Sequence, residues 1–266
     1  MHNLKYLLLR RTTQIGILFL YFSANAFGWH ILEGTFGTSK LFSTIPLADP
    51  FTTLQVLATG FVLGADVLLG AGIITLFYFV VGGRAFCSWV CPINMVTDLA
   101  NWLRAKLNLD KEEVNYRFLK RSARYWIMVL ALLVSAIVGV AAFEAISPIT
   151  IMQRGIVFGF GMGGAVVIAI FLFDLFGVKN GWCGHLCPLG AAYSIIGSKS
   201  LIRVDHNHEN CTNCMDCKVV CPENQVLFMV NKESIPVRSG ECTNCGRCID
   251  VCNDDALAFS IRKFLK

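Results

Sequence analysis

Cys211, Cys214, Cys217 and Cys221 are spaced Cys-x2-Cys-x2-Cys-x3-Cys, and the same spacing returns at Cys242, Cys245, Cys248 and Cys252. A [4Fe–4S] cubane takes four thiolates. In chains that hold two cubanes with this run, the fourth cysteine of each run serves the other cluster. The pattern therefore predicts one cluster on Cys211, Cys214, Cys217 and Cys252, and a second on Cys242, Cys245, Cys248 and Cys221. The structural alternatives are a zinc site or a disulfide scaffold. Zinc usually takes paired Cys-x2-Cys elements, and four cysteines within one short run favour clusters. Pro222 follows Cys221 as that pattern has it, while Asn253 stands after Cys252, a change of loop and not of ligand.

The elements that carry these cysteines are unusually apolar. The chain has 266 residues, of which 55% are hydrophobic and 15% charged, where a soluble domain carries about 25% charged residues. Clustered cysteines in such a chain speak for metal in a reducing compartment and against a secreted disulfide protein. The net charge of +5 comes with no basic stripe of interleaved aromatics, so no nucleic-acid partner is expected. Four apolar stretches, Thr13–Leu32, Val62–Val81, Tyr125–Ile146 and Ile156–Phe176, approach the roughly 20 residues that cross a bilayer as a helix. The first has Lys5, Arg10 and Arg11 before it but no small-residue cleavage site after it, so it is expected to be a retained anchor and not a signal peptide.

Lys and Arg favour the cytoplasmic side of a membrane. They gather in the N-terminal tail and at Arg84, Arg104, Lys106, Lys111, Arg117, Lys120, Arg121 and Arg124, whereas the two opposite loops hold Lys40 and Arg154. The expected architecture is an α-helical integral membrane protein of the bacterial inner membrane, multi-pass, with both termini cytoplasmic. Residues 1–200 would form a four-helix membrane domain, and residues 201–266 a cytoplasmic α+β domain like a two-cluster bacterial ferredoxin.

The remaining cysteines form Cys87-Ser-Trp-Val-Cys91-Pro92 and Cys183-Gly-His-Leu-Cys187-Pro188, 96 positions apart. Each motif follows an even-numbered apolar stretch and leads into a helical segment, Ile93–Leu107 and Leu189–Gly197. The membrane part thus reads as two parallel-repeat halves. Residues i and i+4 share a helical face, and proline suits a helix's first turn. Cys87, Cys91, Cys183 and Cys187 could therefore converge on a third metal centre; a reversible dithiol or simple packing are the other readings.

The segments FCSWVCPINMVTDLANWLR and FLFDLFGVKNGWCGHLCPLGAAYSIIGSK, together with the paired cysteine runs, resemble the NapH family, the ferredoxin-type membrane component of the periplasmic nitrate reductase system. The segment LFSTIPLADPFTTLQVLATG is similar to that family too, and the likeness runs from about Leu9 to Phe259. It implies a quinol dehydrogenase subunit that draws electrons from membrane quinol. A NapG-type periplasmic iron–sulfur protein would then pass them to the nitrate reductase. The wider group with the same motifs implies an alternative, a cupric-reductase or oxidase-assembly protein with copper at the four Cys-x3-Cys-Pro cysteines. A maturation or scaffold protein is a third reading.

A quinol gives up two protons with its two electrons, so its site needs an acceptor beside an apolar slot. The candidates are His30 with Glu144, if the first and third spans touch, and His185 between Cys183 and Cys187. Glu33, Asp66, Arg154 and Asp174 are further ionisable groups of this kind. His206 and His208 read as a polar linker, with a second metal site as the other possibility. Asp216, Glu223, Asp250, Asp254 and Asp255 suggest an acidic face.

Overall fold

The computed structural model describes residues 4–109, 120–159 and 161–262. Lys111 and Arg117 of the basic segment, and Phe160 of the fourth apolar stretch, lie outside the described residues. The chain divides into two compact units. The first gathers Met1–Thr13, Leu76–Val90 and Tyr193–Lys266; the second holds Gln14–Thr75 and Cys91–Ala192.

No helix among the described residues is long and apolar enough to cross a membrane. This overturns the expectation of four transmembrane helices in two parallel halves. The reasons are local. Helix α1 (Lys5–Phe27) is 23 residues long but carries Lys5, Arg10, Arg11 and Gln14. After a small antiparallel sheet of β1 (Leu32–Gly34), β2 (Thr38–Leu41) and β3 (Ile45–Ala48) come α2 (Pro50–Ala58) and α3 (Ala65–Val81). Helix α3 has 17 residues, about 26 Å at 1.5 Å per residue, against a hydrocarbon core of about 30 Å.

Two short helices follow, α4 (Ala85–Trp89) and α5 (Ile93–Lys106). Most of the third apolar stretch is α6 (Ala123–Val138), which stops where Gly139 turns left-handed at φ 76°; glycine takes that conformation without a steric cost. The chain restarts as α7 (Ala142–Ile146) and α8 (Pro148–Phe158), stops again at Gly159 (φ 97°), and resumes as α9 (Gly164–Leu172). A π-helical turn over Phe173–Gly177 ends that run, so the fourth stretch is also cut into pieces.

In the second unit, side chains replace the hydrogen bonds lost at these breaks. Asp49 caps α2, its Oδ2 accepting from Thr52 N at 2.7 Å. Gln55, fully buried, accepts from Phe143 N at 2.9 Å and so receives the backbone just past the Gly139 break. Helix α6 leaves Trp126, Leu130, Leu133 and Ile137 exposed, positions that fall on one helical side.

In the first unit, α10 (Pro188–Gly197) leads into β4 (Ile202–His206), which pairs antiparallel with β5 (Leu257–Ile261) in the register His206 to Leu257. The short helices α11 (Asp216–Val220) and α12 (Arg247–Asp250) lie between these strands in sequence. Val204, Val226, Leu227, Met229, Val230, Val237 and Leu257 form the core, and Cys217 and Cys248 are buried within it. This is the small α+β ferredoxin-like unit that the cysteine runs predict, enlarged by two distant segments. Asp250 accepts from Tyr6 N and Leu7 N at 3.2 and 3.3 Å, fastening the start of α1.

Segment 76–90 is fastened more tightly still. Phe86 stacks on Tyr193 with ring centroids 4.9 Å apart, and Gly83 lies against the backbone of α10, where a Cβ would come within 1.8 Å of Tyr193 O. Neither backbone can yield easily, so Gly83→Ala is expected to cost about 3 kcal/mol or more of stability. Gly72, inside α3, has nothing within 4 Å of its would-be Cβ, and Gly72→Ala should stabilise by up to about 1 kcal/mol. Thermal unfolding of the two variants checks the contrast; equal midpoints would refute it.

Candidate iron–sulfur sites

The two cysteine runs fold as copies of each other. In the first, Asn213 and Met215 on either side of Cys214 take positive φ, 62° and 66°; in the second, Asn244 and Gly246 on either side of Cys245 do the same, at 47° and 73°. Two left-handed residues in four reverse the chain twice, which brings three cysteines of a run around one space. In each copy the first thiol donates to the asparagine two residues on, Cys211 to Asn213 Oδ1 at 3.6 Å and Cys242 to Asn244 Oδ1 at 3.4 Å. The third cysteine, Cys217 or Cys248, then enters a short helix, α11 or α12.

Two cavities result. One is walled by Cys211, Cys214, Cys217 and Cys252 with His206 and Asp254. The other is walled by Cys221, Cys242, Cys245 and Cys248 with Glu223 and Arg247. The grouping is the crosswise one, the fourth cysteine of each run standing with the first three of the other. None of the twelve cysteines is in a disulfide. Among the described residues, no three His, Cys, Asp or Glu side chains converge as ligands of a metal ion do; the eight cysteines instead surround cavities. That arrangement suits a four-iron cubane, whose ligand sulfurs stand farther apart than those around a lone ion. Desolvation pushes the Cys242 thiol up to about 11 and Cys248 well above its usual range, with Cys245, Cys242, Cys221 and Cys217 adding to the effect. Burial raises Cys217 too, followed by Cys214, Cys211 and Cys252. Thiols in such surroundings keep their protons unless a cationic group replaces them, which is what cluster iron does.

The second cavity has a clamp that the sequence did not announce. Arg84 Nη1 donates to Glu223 Oε1 at 2.6 Å and to Glu241 O at 2.9 Å, and both charged side chains are about 2% exposed. Ser88 Oγ donates to Thr243 O at 2.7 Å, and Trp89 Nε1 to Asn244 O at 3.0 Å. Asn244 Nδ2 returns bonds to Val81 O and Ile202 O at 2.8 and 3.0 Å. Segment 81–89 thus holds the loop from Cys242 to Cys245 along its length. In sequence, Arg84 counted only as one of several basic residues, and Ser88 and Trp89 as spacers.

Of the carboxylates expected to form an acidic face, Asp216 and Asp255 are exposed and the other three have partners within the unit. Glu223 pairs with Arg84, Asp250 fastens α1, and Asp254 accepts from Thr212 Oγ1 at 2.5 Å. His206 is not in a polar linker: it is buried in β4, with its Nδ1 on Glu233 O at 2.8 Å.

Of the other candidates, Cys87 belongs to the first unit, and Cys91, Cys183 and Cys187 to the second. Cys87 lies in α4, Cys183 in a π-helical turn over Trp182–Leu186, and each motif's proline leads into α5 or α10. Cys183 Sγ donates to Thr97 Oγ1 at 3.9 Å. Upstream of it, Asn101 Nδ2 donates to Asn180 Oδ1 at 2.7 Å, and Arg104 Nη1 to Leu175 O and Gly177 O at 3.0 and 2.9 Å. Burial, with the charges of Arg121 and Arg124, holds His185 below its usual range, so it is neutral at pH 7. The carboxylate beside His30 is Glu33 and not Glu144. Glu144 instead accepts from Thr150 Oγ1 at 2.6 Å and Thr52 Oγ1 at 3.3 Å.

The crosswise grouping predicts which centre each substitution removes. Cys221→Ser is expected to abolish the same paramagnetic centre as Cys245→Ser, and Cys252→Ser the same one as Cys214→Ser, each with loss of about four irons. Electron paramagnetic resonance of the reduced variants reads this directly; pairing within a run would give the opposite result.

Comparison with known proteins agrees with these sites. The 4Fe-4S dicluster domain family matches residues 203–253. The 4Fe-4S binding domain family matches twice, over residues 63–110 and 158–204, once on each Cys-x3-Cys-Pro motif. The ferredoxin-type protein NapH of Haemophilus influenzae is 48% identical over 84% of this chain and 77% of its own length. NapH of Escherichia coli is 46% identical over the same shares, as is the methylamine utilization ferredoxin-type protein MauN of Methylorubrum extorquens. No solved structure matches the chain. With two walls of four cysteines and relatives this similar over most of their length, the chain belongs to the NapH and MauN family of ferredoxin-type proteins, iron–sulfur proteins of electron transfer.

Proposed function

We propose that this chain oxidises membrane quinol and relays the electrons through two [4Fe–4S] clusters, toward a periplasmic nitrate reductase by way of a NapG-type iron–sulfur partner. The observation that carries the reading is the pair of cavities, each walled by four cysteines. Cys211, Cys214, Cys217 and Cys252 would hold one cluster, and Cys242, Cys245, Cys248 and Cys221 the other. Such a cluster supplies one-electron storage at a potential set by its surroundings. The protein's part is to keep the cysteines in place, exclude water from Cys217 and Cys248, and receive the protons that the quinol gives up. His30, joined to Glu33, and Glu144, held between two threonine hydroxyls, are the acceptors on offer. His185, neutral at pH 7 and buried, is a third.

The proposed location is the inner membrane, with the cluster-bearing unit on the cytoplasmic side. Exposed apolar side chains along α3 and α6, among them Leu69, Leu76, Leu130 and Ile137, would be covered by lipid at the membrane. Fractionation of gently broken cells is expected to recover the chain with the inner membranes; recovery in the soluble fraction would overturn the location.

A second reading puts the same electron relay in methylamine utilisation, since MauN of M. extorquens is as similar as NapH of E. coli, both at 46% identity. The test of the shared core is anaerobic mixing of cluster-loaded protein with a quinol, and of reduced protein with the matching quinone, followed by iron–sulfur absorbance. Bleaching by quinol or reoxidation by quinone is expected. No exchange in either direction, with about eight irons per chain bound, would remove quinol from this chain's chemistry.

A further inference from the structure

The two cavities differ in the charge buried around them. Arg203 lies on β4 and is 1% exposed. Its Nη1 donates to Ser239 O at 2.8 Å, its Nε to Ser200 O at 3.4 Å, and its Nη2 to Gly197 O. These partners are all carbonyls, which solvate a guanidinium but leave its charge uncancelled. A buried cation is costly unless an anion faces it. Ser239 O also accepts from Cys242 N at 3.4 Å, so one carbonyl oxygen joins the guanidinium to the first ligand of the second cavity.

The second cationic group beside this cavity, Arg84, is matched by Glu223; a third, Arg247, lies on the cavity wall. Arg203, whose partners are carbonyls, is a cation beside this cavity that no carboxylate among the described residues bonds. The first cavity has the Asp254 carboxylate and the His206 ring at its wall.

We propose that Arg203 is the buried counter-cation of the second cluster site and holds that cluster's reduction potential above that of the first. The inference rests on the reading that both cavities hold clusters, and it adds an order to them. Four thiolates make a cluster site anionic, and each electron added makes it more so. A fixed cation therefore favours the reduced form, whereas Asp254 disfavours it at the first site. An electron shared between the two comes to rest on the second, the one gripped by Arg84, Ser88 and Trp89.

The test is a potentiometric titration of the full chain followed by electron paramagnetic resonance, with the two signals assigned by their loss in Cys214→Ser and Cys245→Ser. In the unaltered protein the higher-potential signal is expected to be the one that Cys245→Ser removes. Arg203→Met should lower that potential by a tenfold or larger change in the reduction equilibrium, about 59 mV for one electron, and leave the first cluster where it was. Arg203→Lys keeps the charge but cannot reproduce the three-carbonyl fork, so it should restore most of the shift; a purely structural role would not be restored. If Arg203→Met fails to fold, the order of the two potentials and the Arg203→Lys variant still decide. A higher first cluster, or equal shifts of both, overturns the proposal. Iron at about eight per chain with no shift refutes this inference alone, whereas absence of iron refutes the cluster reading beneath it.

Discussion

A loop that bends around a metal cluster cannot form a hydrogen-bond ladder with itself, and its carbonyls must still find donors. In the second cysteine run, Glu241, Thr243 and Asn244 have their carbonyls taken by Arg84, Ser88 and Trp89. Those donors come from a segment about 155 residues earlier in the chain. Much of the first unit follows from that requirement. Segment 81–89 must reach the loop, so Gly83 gives up its side chain to pass α10 at backbone distance. Glu223, beside the ligand Cys221, must be buried as an ion pair, since Arg84 is drawn inward by the same loop. Removing one partner of such a pair would leave an uncompensated buried charge, a loss of about 3–5 kcal/mol.

The cysteines were legible because their meaning lies in spacing, which a sequence states outright. The crosswise grouping of Cys221 and Cys252 and the helices after Pro92 and Pro188 follow from local pattern. The four membrane-crossing helices did not follow, because apolar length was taken for helical continuity. Gly139 and Gly159 each turn the backbone left-handed inside an apolar run, and a hydropathy pattern does not register such a stop. Arg84 and Arg203 were illegible for another reason. A single cation in GGRAF or LIRVD has no period, and only tertiary contact shows that it is buried among carbonyls.

The carboxylates show the same limit from the other side. Glu223, Asp250 and Asp254 look alike in sequence, three acids near cysteines. In the structure one neutralises a buried guanidinium, one receives the start of α1, and one braces the first ligand loop through Thr212. In sequence such acids suggest an acidic face, because charge in sequence is most simply solvated charge. Each of these three meets a donor that the fold brings to it, while Asp216 and Asp255 stay exposed.

The two Cys-x3-Cys-Pro motifs, set 96 positions apart, carry this argument furthest. Laid over each other, Arg84, Ser88 and Trp89 correspond to Asn180, Gly184 and His185. The repeat keeps its cysteines and prolines and differs at the three positions whose side chains donate to the second ligand loop. In the later copy the local contacts run inward instead: Asn180 meets Asn101, and Gly184 O accepts from Arg124 Nη1 at 3.2 Å. His185, in the place of the Trp89 indole, is buried and neutral. Glycine offers no side-chain donor, and the His185 imidazole is buried within the second unit. The two motifs thus share their cysteine pairs, and in the earlier one three spacer side chains donate to the loop of the second cysteine run. The asymmetry between the two halves therefore lies in the donors around the cysteines and not in the cysteines themselves.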